Sequence, residues 1–182
     1  MSKLADNDAT LVQCAKEGDK AAFVALYERY QPSVFTYFYY RVDDQTLAED
    51  LTAEVFVRMV AKLHTYRATS PLLAWLYTIA RNLLADHYRE TSRVAPLNER
   101  TIMSSSDPTE EVHRRLREAE LRTALKRLTE EQRQVIILKF IERRSNLQIA
   151  TLLGKTEGAI KSLQHRALDS LRRQLDTHPK TG

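Results

Sequence analysis

Apolar residues recur along most of this chain at the three- and four-residue spacing of amphipathic helices. The clearest run is Leu47, Leu51, Val55, Met59 and Leu63, in which each member follows the last by four positions. Side chains at that spacing share one face, so the run predicts a single long helix with one buried side. The chain holds only 4 Gly and 5 Pro, fewer than the turns of an all-β fold require, and the fold class we expect is all-α.

Helical spacing extends over a first block, residues 9–93, in which a few residues indicate where helices stop and start. Pro32 is expected to interrupt the helical pattern between Tyr30 and Val34. Further along, Ser70 and Pro71 predict a helix start, with Ser70 as the N-cap and Pro71 at the first helical position. The helix that follows is expected to run from residue 72 to residue 88.

Periodicity is lost over residues 94–110, which contain two prolines and three consecutive serines, and we interpret this stretch as a linker. A second helical block covers residues 111–176. Its first helix is expected over residues 116–128, after which Thr129 and Gln132 have the spacing of a capping box. Ser145 is expected to cap the next helix and Gly154 to end it.

The span from Asn146 to Ala167 has the spacing of a helix-turn-helix. Ala150 supplies the small residue at the helix crossing, Gly154 tolerates the left-handed geometry of the turn, and Ile160 anchors the second helix. On spacing alone, an ordinary helical hairpin remains an alternative.

The second helix of this motif is expected to be apolar on one side and basic on the other. If Ile160, Leu163 and Ala167 face inward, a polar and basic face points outward. Such a face can reach base edges and phosphates in a major groove. The side chains expected to contact DNA are Lys161, Ser162, His165 and Arg166. A solvated basic face without a ligand is the alternative.

Charge is distributed unevenly along the chain. Residues 1–60 carry a net charge of −4, whereas residues 121–182 carry a net charge of +7. The basic end therefore suits a polyanion, and the acidic first third suits a basic protein surface.

Nothing in the sequence points to a catalytic or metal site. The single cysteine, Cys14, excludes an internal disulfide, and the five histidines form no pattern. Gly154-Lys155-Thr156 looks like the end of a phosphate-binding loop, but Ile149 stands where that loop needs glycine. We therefore expect a non-enzymatic protein without metal or cofactor. No apolar run is long enough to span a membrane, and we expect a cytoplasmic protein that does not insert into one.

The segment from Trp75 to Asn82, WLYTIARN, places aromatic side chains beside Arg81 and Asn82 on one helix. Aromatic residues interleaved with basic and amide groups suit single-stranded nucleic acid, because bases stack and phosphates pair. A position in the core explains Trp75 and Tyr77 equally well.

This segment, taken with Ala48 to Leu51, Glu54 to Phe56, Gly18 to Phe23 and the helix-turn-helix, resembles the extracytoplasmic-function sigma factors of the sigma-70 family. The resemblance covers roughly residues 10–175. It implies two small helical domains: a region 2 bundle over residues 9–93 and a region 4 helix-turn-helix domain over residues 111–176. A flexible linker, residues 94–110, would join them.

The resemblance also implies roles for particular residues. Docking on the clamp helices of the beta-prime subunit of core RNA polymerase would fall to Asp50, Glu54 and Arg58, for which a surface ion-pair ladder is the alternative. Capture of the non-template strand of the minus-ten element would fall to Tyr66, Arg67, Trp75, Arg81 and Asn82. Duplex readout of the minus-thirty-five element would fall to Lys161, Ser162, His165 and Arg166.

The function implied is binding of core RNA polymerase and promoter DNA, to direct promoter-specific initiation in response to an envelope or environmental stress signal. An anti-sigma factor is the implied regulatory partner. Two places depart from the family pattern. Lys155 stands in the turn where an aliphatic residue is common, and Leu163-Gln164 stands where arginine followed by an aliphatic residue is usual.

Two other classes of protein fit the sequence less well than a sigma factor does. A conventional repressor or activator would bind duplex DNA as a dimer, but its sensor domain would need a ligand pocket where this chain carries the segment from Trp75 to Asn82. A helical enzyme acting on nucleic acid would need a carboxylate or metal constellation that the sequence lacks.

Overall fold

The computed structural model describes residues 3–93 and 110–176, with side chains described for residues 8–92 and 114–174. Every regular element within these ranges is a helix, as the all-α prediction requires. The helices are α1 (Lys3–Lys16), α2 (Lys20–Tyr39), α3 (Gln45–Lys62), α4 (Leu72–Arg93), α5 (Glu110–Lys126), α6 (Glu130–Ile136), α7 (Asn146–Leu153) and α8 (Glu157–Asp176). We call α1–α4 the N-terminal unit and α5–α8 the C-terminal unit. The expected linker lies outside the described residues, except for Glu110.

In the N-terminal unit, α2 packs against α1, α3 and α4 around an apolar core. Aspartates fix where two of these helices begin. The Asp19 side chain accepts hydrogen bonds from the N–H groups of Ala21 and Ala22 at 2.8 and 3.4 Å. Asp44 accepts one from the N–H of Thr46 at 2.9 Å. Each carboxylate satisfies amides that have no partner within the helix.

The expected break at Pro32 is wrong, because α2 continues through it. A proline inside a helix removes one N–H donor and costs about 3 kcal/mol or more. Here the helix buries apolar side chains on both sides of the proline, with Leu26, Val34 and Phe38 each fully buried, while Pro32 itself is exposed. Burial of the flanking turns therefore outweighs the local signal.

The period-four face predicted for the third helix is confirmed. Leu51, Val55, Met59 and Leu63 are buried, and Leu47 is half-buried against the same core. The α-helix ends at Lys62, and Leu63 opens a short 3₁₀ turn that reaches residue 65.

The fourth helix begins at Leu72, as predicted, but the roles expected of Ser70 and Pro71 are shifted by one position. The carbonyl of Pro71 accepts the N–H of Ala74 at 3.0 Å, so Pro71 rather than Ser70 stands just outside the first helical residue. The helix then continues to Arg93, five residues beyond Tyr88. Shifts of one or two residues at a helix end are ordinary. The side chains described in the extra turn are exposed, and its hydroxyl groups bond within the helix, Thr91 to the carbonyl of His87 and Ser92 to that of Tyr88.

In the C-terminal unit, the predicted cap is present at each of three helix ends. Thr129 with Gln132 and Ser145 with Gln148 form capping boxes, in which each side chain bonds the other residue's backbone N–H. Gly154 ends α7 with a φ of 63°, in the left-handed region that favours glycine. These local interactions place the helix-turn-helix where the spacing predicts it.

Two elements of this unit differ from the prediction. The first helix, α5, ends at Lys126, two residues earlier than expected. The helix after Thr129 also changes form, because a π-helical turn, Ile137–Ile141, follows α6. Ile137 and Leu138 are both fully buried within this turn, so it keeps the apolar run inside the core.

The two units pack directly against each other, and Arg41 lies at the centre of the contact. Its side chain is fully buried, and its guanidinium carbon lies 3.7 Å from the centroid of the Tyr37 ring. The guanidinium donates hydrogen bonds to the Glu130 carboxylate at 2.6 and 3.0 Å, and also to the side-chain oxygen of Gln134. A buried guanidinium requires such partners, because an unpaired charge in the interior is strongly unfavourable.

Glu142 forms a second contact between the units. Its carboxylate accepts hydrogen bonds from the hydroxyl of Ser33 at 2.9 Å, the hydroxyl of Tyr77 at 3.2 Å and the guanidinium of Arg144 at 2.9 Å. Two pairs extend the contact at its edge: Lys126 with Asp43, and Tyr39 with Glu118. Together with Arg41, Tyr37, Glu130 and Gln134, these residues form what we call the interdomain interface.

Candidate nucleic-acid interface

Helix α8 has the two-sided character that the sequence predicts. Ile160, Leu163 and Ala167 are buried. The four predicted DNA contacts lie on the exposed side of the helix: Lys161, Ser162, His165 and Arg166. The structure therefore brings together the residues that the helix-turn-helix assignment grouped.

The departure at Leu163-Gln164 is accommodated within the fold of the motif. Leu163 is buried in the core, and the Gln164 side chain donates a hydrogen bond to the side-chain oxygen of Asn146 at 3.0 Å. This bond joins α8 to the start of α7. The four predicted DNA contacts remain on the exposed side of α8. Lys155, the other departure, forms an ion pair with Glu131 at 2.7 Å.

Local bonds orient part of the exposed face of α8. The hydroxyl of Ser162 donates to the carbonyl of Gly158 at 3.0 Å, and the guanidinium of Arg166 donates to the carbonyl of Ser162 at 3.4 Å. His165 lies 3.3 Å from the Asp169 carboxylate; the His165 side chain is 77% exposed and that of Asp169 is 41% exposed. These contacts are exposed and local, so the side chains can exchange them for phosphate or base contacts at low cost.

The loop between α3 and α4 is held by Tyr66, whose ring is buried. The Tyr66 hydroxyl donates to the carbonyl of Ser70 at 2.6 Å, and its ring lies 5.4 Å from that of Trp75. Burial raises the pKa of the Tyr66 phenol. Arg67, by contrast, is exposed on the loop. Tyr66 and Trp75 thus support the loop from below, while Arg67 extends from it.

Helix α1 packs against this loop, a contact that the sequence analysis did not predict. The ammonium of Lys16 donates to the carbonyl of Tyr66 at 2.8 Å. A cavity of about 630 Å³ lies between the two elements. Its lining includes Asp8, Gln13 and Lys16 from α1 and Thr69 from the loop. No local signal could reveal this pairing, because 50 positions separate Lys16 from Tyr66.

Arg81 and Asn82 are both exposed on α4, but their surroundings differ. Arg81 lines a cavity of about 420 Å³ between the two units, whereas Asn82 does not. Tyr77, from the same segment, is buried and bonded to Glu142. Within the segment from Trp75 to Asn82, Tyr77 therefore stabilises the fold, whereas Arg81 and Asn82 are available to a ligand.

The acidic residues expected to dock on polymerase lie along the outer side of α3. Asp50 is exposed, whereas Glu54 and Arg58 are partly exposed and joined by a 2.8 Å ion pair. The structure adds Val57 and Val60, which are 61% and 57% exposed on the same helix. The sequence could have predicted that these two valines are exposed, because both lie outside the period-four apolar face from Leu47 to Leu63.

Within residues 3–93 and 110–176, no helix is both long and apolar enough to cross a membrane. Across those same residues, no group of three or more histidine, cysteine or acidic side chains is placed to hold a metal ion.

Comparison with known families matches both units. Residues 26–94 match the family model for Sigma-70 region 2, and residues 118–171 match the model for Sigma-70, region 4. The chain is 37% identical over 180 residues to the ECF RNA polymerase sigma factor BldN of Streptomyces coelicolor. The aligned region covers 94% of this chain and 68% of that protein.

Two solved structures share the fold, each at 24% sequence identity. One is CnrH in complex with the cytosolic domain of CnrY, with a TM-score of 0.69 over 94% of this chain and 98% of that chain. The other is the sigma factor RpoE in complex with the anti-sigma factor NepR from Bartonella quintana, with a TM-score of 0.57 over 85% of this chain and 96% of that chain.

Proposed function

The chain belongs to the extracytoplasmic-function sigma factors of the sigma-70 family, and from that premise we propose that α3, α4 and α8 divide the binding tasks of such a factor. A sigma factor binds core RNA polymerase and promoter DNA and directs transcription initiation. It is a regulatory subunit, and its chemistry is recognition. The observation that carries the division of tasks is the presence of three separate exposed faces, one on each helix.

Helix α8 reads the minus-thirty-five element as duplex DNA in its major groove. Lys161 and Arg166 provide the positive charge, and Ser162 and His165 provide hydrogen-bonding groups beside them. All four are exposed, while Ile160 and Leu163 hold the opposite side of the helix in the core. Arginine and lysine on a recognition helix pair with guanine edges or phosphates, which suits this arrangement.

Helix α4 and the loop before it capture the non-template strand of the minus-ten element. Arg67, Arg81 and Asn82 are exposed and polar, so they are suited to phosphates and base edges. Tyr66 and Trp75 act beneath them by holding the loop in place. The cavity between α1 and this loop is the candidate pocket for a base that leaves the stack.

The outer side of α3 docks on the clamp helices of the beta-prime subunit. Asp50 and Glu54 offer negative charge to a basic partner, and Val57 and Val60 add apolar area beside them. An interface with exposed apolar residues at its centre and charge around it has the usual composition of a protein contact. The valines make docking a better explanation of this face than a surface ion-pair ladder.

We propose that the protein acts in the cytoplasm, where it is held by an anti-sigma factor until an envelope or environmental signal releases it. The support is a shared fold with a sigma factor solved together with its anti-sigma factor. The boundaries we propose for the two functional domains are residues 9–93 and 111–176.

The experiment that tests this function is transcription in vitro with core RNA polymerase and a library of genomic fragments. We expect the chain to give transcripts with defined start sites that core enzyme alone does not produce. Transcription no better than that of core enzyme alone would contradict the proposal.

A further inference from the structure

Lys16, the last residue of α1, bonds to the backbone of the loop between α3 and α4. Its ammonium donates to the carbonyl of Tyr66 at 2.8 Å and lies 6.0 Å from the centroid of the Tyr66 ring. A hydrogen bond from a charged donor is stronger than one between neutral groups. The contact therefore joins the loop to a helix that is distant from it in sequence.

Three polar groups of Tyr66 are held at once. Its N–H donates to the carbonyl of Leu63 at 3.0 Å, and its hydroxyl donates to the carbonyl of Ser70 at 2.6 Å. Its own carbonyl accepts the bond from Lys16. Leu63 and Ser70 lie within four positions of Tyr66, whereas Lys16 belongs to a different helix. The bond from Lys16 therefore fixes this carbonyl relative to α1.

Helix α1 is itself firmly held, so it can support such a bond. Val12 and Ala15 are buried in the core of the N-terminal unit. Near the start of the helix, the Asp8 carboxylate accepts hydrogen bonds from the guanidinium of Arg29 and the hydroxyl of Tyr30, both on α2. The backbone from which the ammonium extends is thus fixed at two places along the helix.

The orientation of the Tyr66 carbonyl matters because the next residue is Arg67, a proposed strand contact. A peptide group is planar, so a carbonyl that is held in place also fixes the direction of the N–H that follows it. The carbonyl of Arg67 accepts the N–H of Thr69 at 2.8 Å. The backbone is therefore bonded on both sides of the exposed Arg67 side chain.

We infer that Lys16 is a positioning residue for strand capture, which holds the Tyr66 carbonyl and thereby sets the direction in which Arg67 meets the minus-ten strand. The inference rests on the proposed function, since it takes this loop as part of the strand-capture surface. Lys16 also lines the cavity of about 630 Å³ beside the loop, but its ammonium is bonded to the loop carbonyl. It acts on the strand through Arg67 rather than by direct contact.

Strand binding by the full chain tests this role. Lys16→Met removes the donor and keeps an unbranched side chain. The probe is a fluorescein-labelled pool of random single-stranded 12-nucleotide DNA, followed by anisotropy. We expect binding about fivefold weaker, because the charged hydrogen bond that orients the loop is lost. Lys16→Arg keeps a charged donor and should restore most of the affinity. Lys20→Met removes equal charge from an exposed site on α2 and should leave binding unchanged.

Arg67→Ala separates positioning from direct contact. If Lys16 acts through Arg67, Lys16→Met has nothing further to remove once the Arg67 side chain is absent. The double variant should then bind the strand as tightly as Arg67→Ala alone. Additive losses would show that Lys16 contacts the strand itself and would overturn the inference, as would an unchanged affinity in Lys16→Met.

Hydrogen exchange of the loop tests the positioning without DNA. In Lys16→Met we expect the amides of residues 66–70 to exchange about fivefold faster, whereas those of α8 should exchange at the same rate. Lys16 is exposed, so the thermal unfolding temperature should change little. Loop amides that exchange equally fast with and without Lys16 would refute the positioning role.

Transcription by the unsubstituted chain with core RNA polymerase is measured in parallel. If that activity is absent while loop exchange and strand binding respond to Lys16→Met as expected, the proposed function fails and the positioning role stands. If the unsubstituted chain transcribes but Lys16→Met binds the strand equally well, the proposed function stands and the positioning role fails.

Discussion

At the scale of single residues, the exposed face of α8 depends on which side chains the core holds inward. Leu163 is buried and Gln164 is bonded to Asn146, so the exposed positions on either side are fixed in orientation. Lys161 and Arg166 are the two exposed cations on this face that lie within the proposed contact set. Their contribution to DNA binding can therefore be tested without disturbing the core.

Lys161→Ala with Arg166→Ala is expected to weaken binding of promoter duplex on the order of 10- to 100-fold, because both charged contacts are lost. The dependence of affinity on salt should also fall, by about two phosphate equivalents if both cations contact the backbone. Anisotropy at several salt concentrations measures both effects. Lys20→Ala with Lys62→Ala removes equal charge from exposed sites in the N-terminal unit. Equal affinities for these two double variants would refute the recognition face.

At the scale of elements, the turn between α7 and α8 is set by one backbone conformation. Gly154 has a φ of 63°, and a Cβ added there would meet no atom within 4 Å. Any cost of a side chain at this position is therefore conformational rather than steric.

Gly154→Ala is expected to lower the free energy of unfolding by about 1–2 kcal/mol, the cost of left-handed backbone for a residue with a Cβ. Gly158→Ala is the matched control, because Gly158 lies in the helix α8, where alanine is favoured over glycine by up to about 1 kcal/mol. Urea denaturation of both variants measures the difference. Equal effects of the two substitutions would contradict the assignment of the turn.

The outer face of α3 is a second element whose role can be tested directly. Val57→Asp with Val60→Asp is expected to weaken binding to core RNA polymerase by about tenfold or more, because burial of each valine contributes about 1 kcal/mol or more to a docked interface. Both side chains are more than half exposed, so thermal stability should change little. Thr91→Asp with Ser92→Asp adds the same charge at exposed positions of α4. Co-purification with core enzyme that is unaffected by the valine changes would argue against this docking face.

At the scale of the whole molecule, two phenols at the interdomain interface couple stability to alkaline pH. Burial raises the pKa of Tyr37 to about 12. Burial, with the neighbouring Glu142 carboxylate, raises the pKa of Tyr77 well above its ordinary value. The folded protein thus holds both groups protonated at a pH where the unfolded chain would ionise them.

The contribution of these phenols is fully present below the unfolded pKa of about 10 and is lost as pH rises toward the folded pKa. We expect the free energy of unfolding to fall between pH 10 and pH 12, by at most about 1.4 kcal/mol per pH unit for each group. Tyr77→Phe should reduce the slope. Urea denaturation at pH 9, 10 and 11 measures it, and a stability that is the same at pH 9 and pH 11 would contradict the prediction.

Sequence alone determined the features that depend on residues within one or two helical turns. The capping boxes at Thr129 and Ser145, the left-handed Gly154 and the buried face from Leu47 to Leu63 were all predictable, because each is decided by side chains three or four positions apart. The resemblance to the sigma factors likewise depends on short motifs, such as the segment from Trp75 to Asn82, whose residues are close together in the sequence.

Tertiary structure alone decided which distant residues meet. Arg41 is a polar residue in sequence, yet it is buried because Glu130, 89 positions away, supplies its charge partner. Lys16 meets Tyr66 across 50 positions, and Pro32 remains within a helix because the side chains around it are buried by other elements. Such contacts are set by the packing of whole helices, whose favourable burial exceeds the local propensities that a sequence displays.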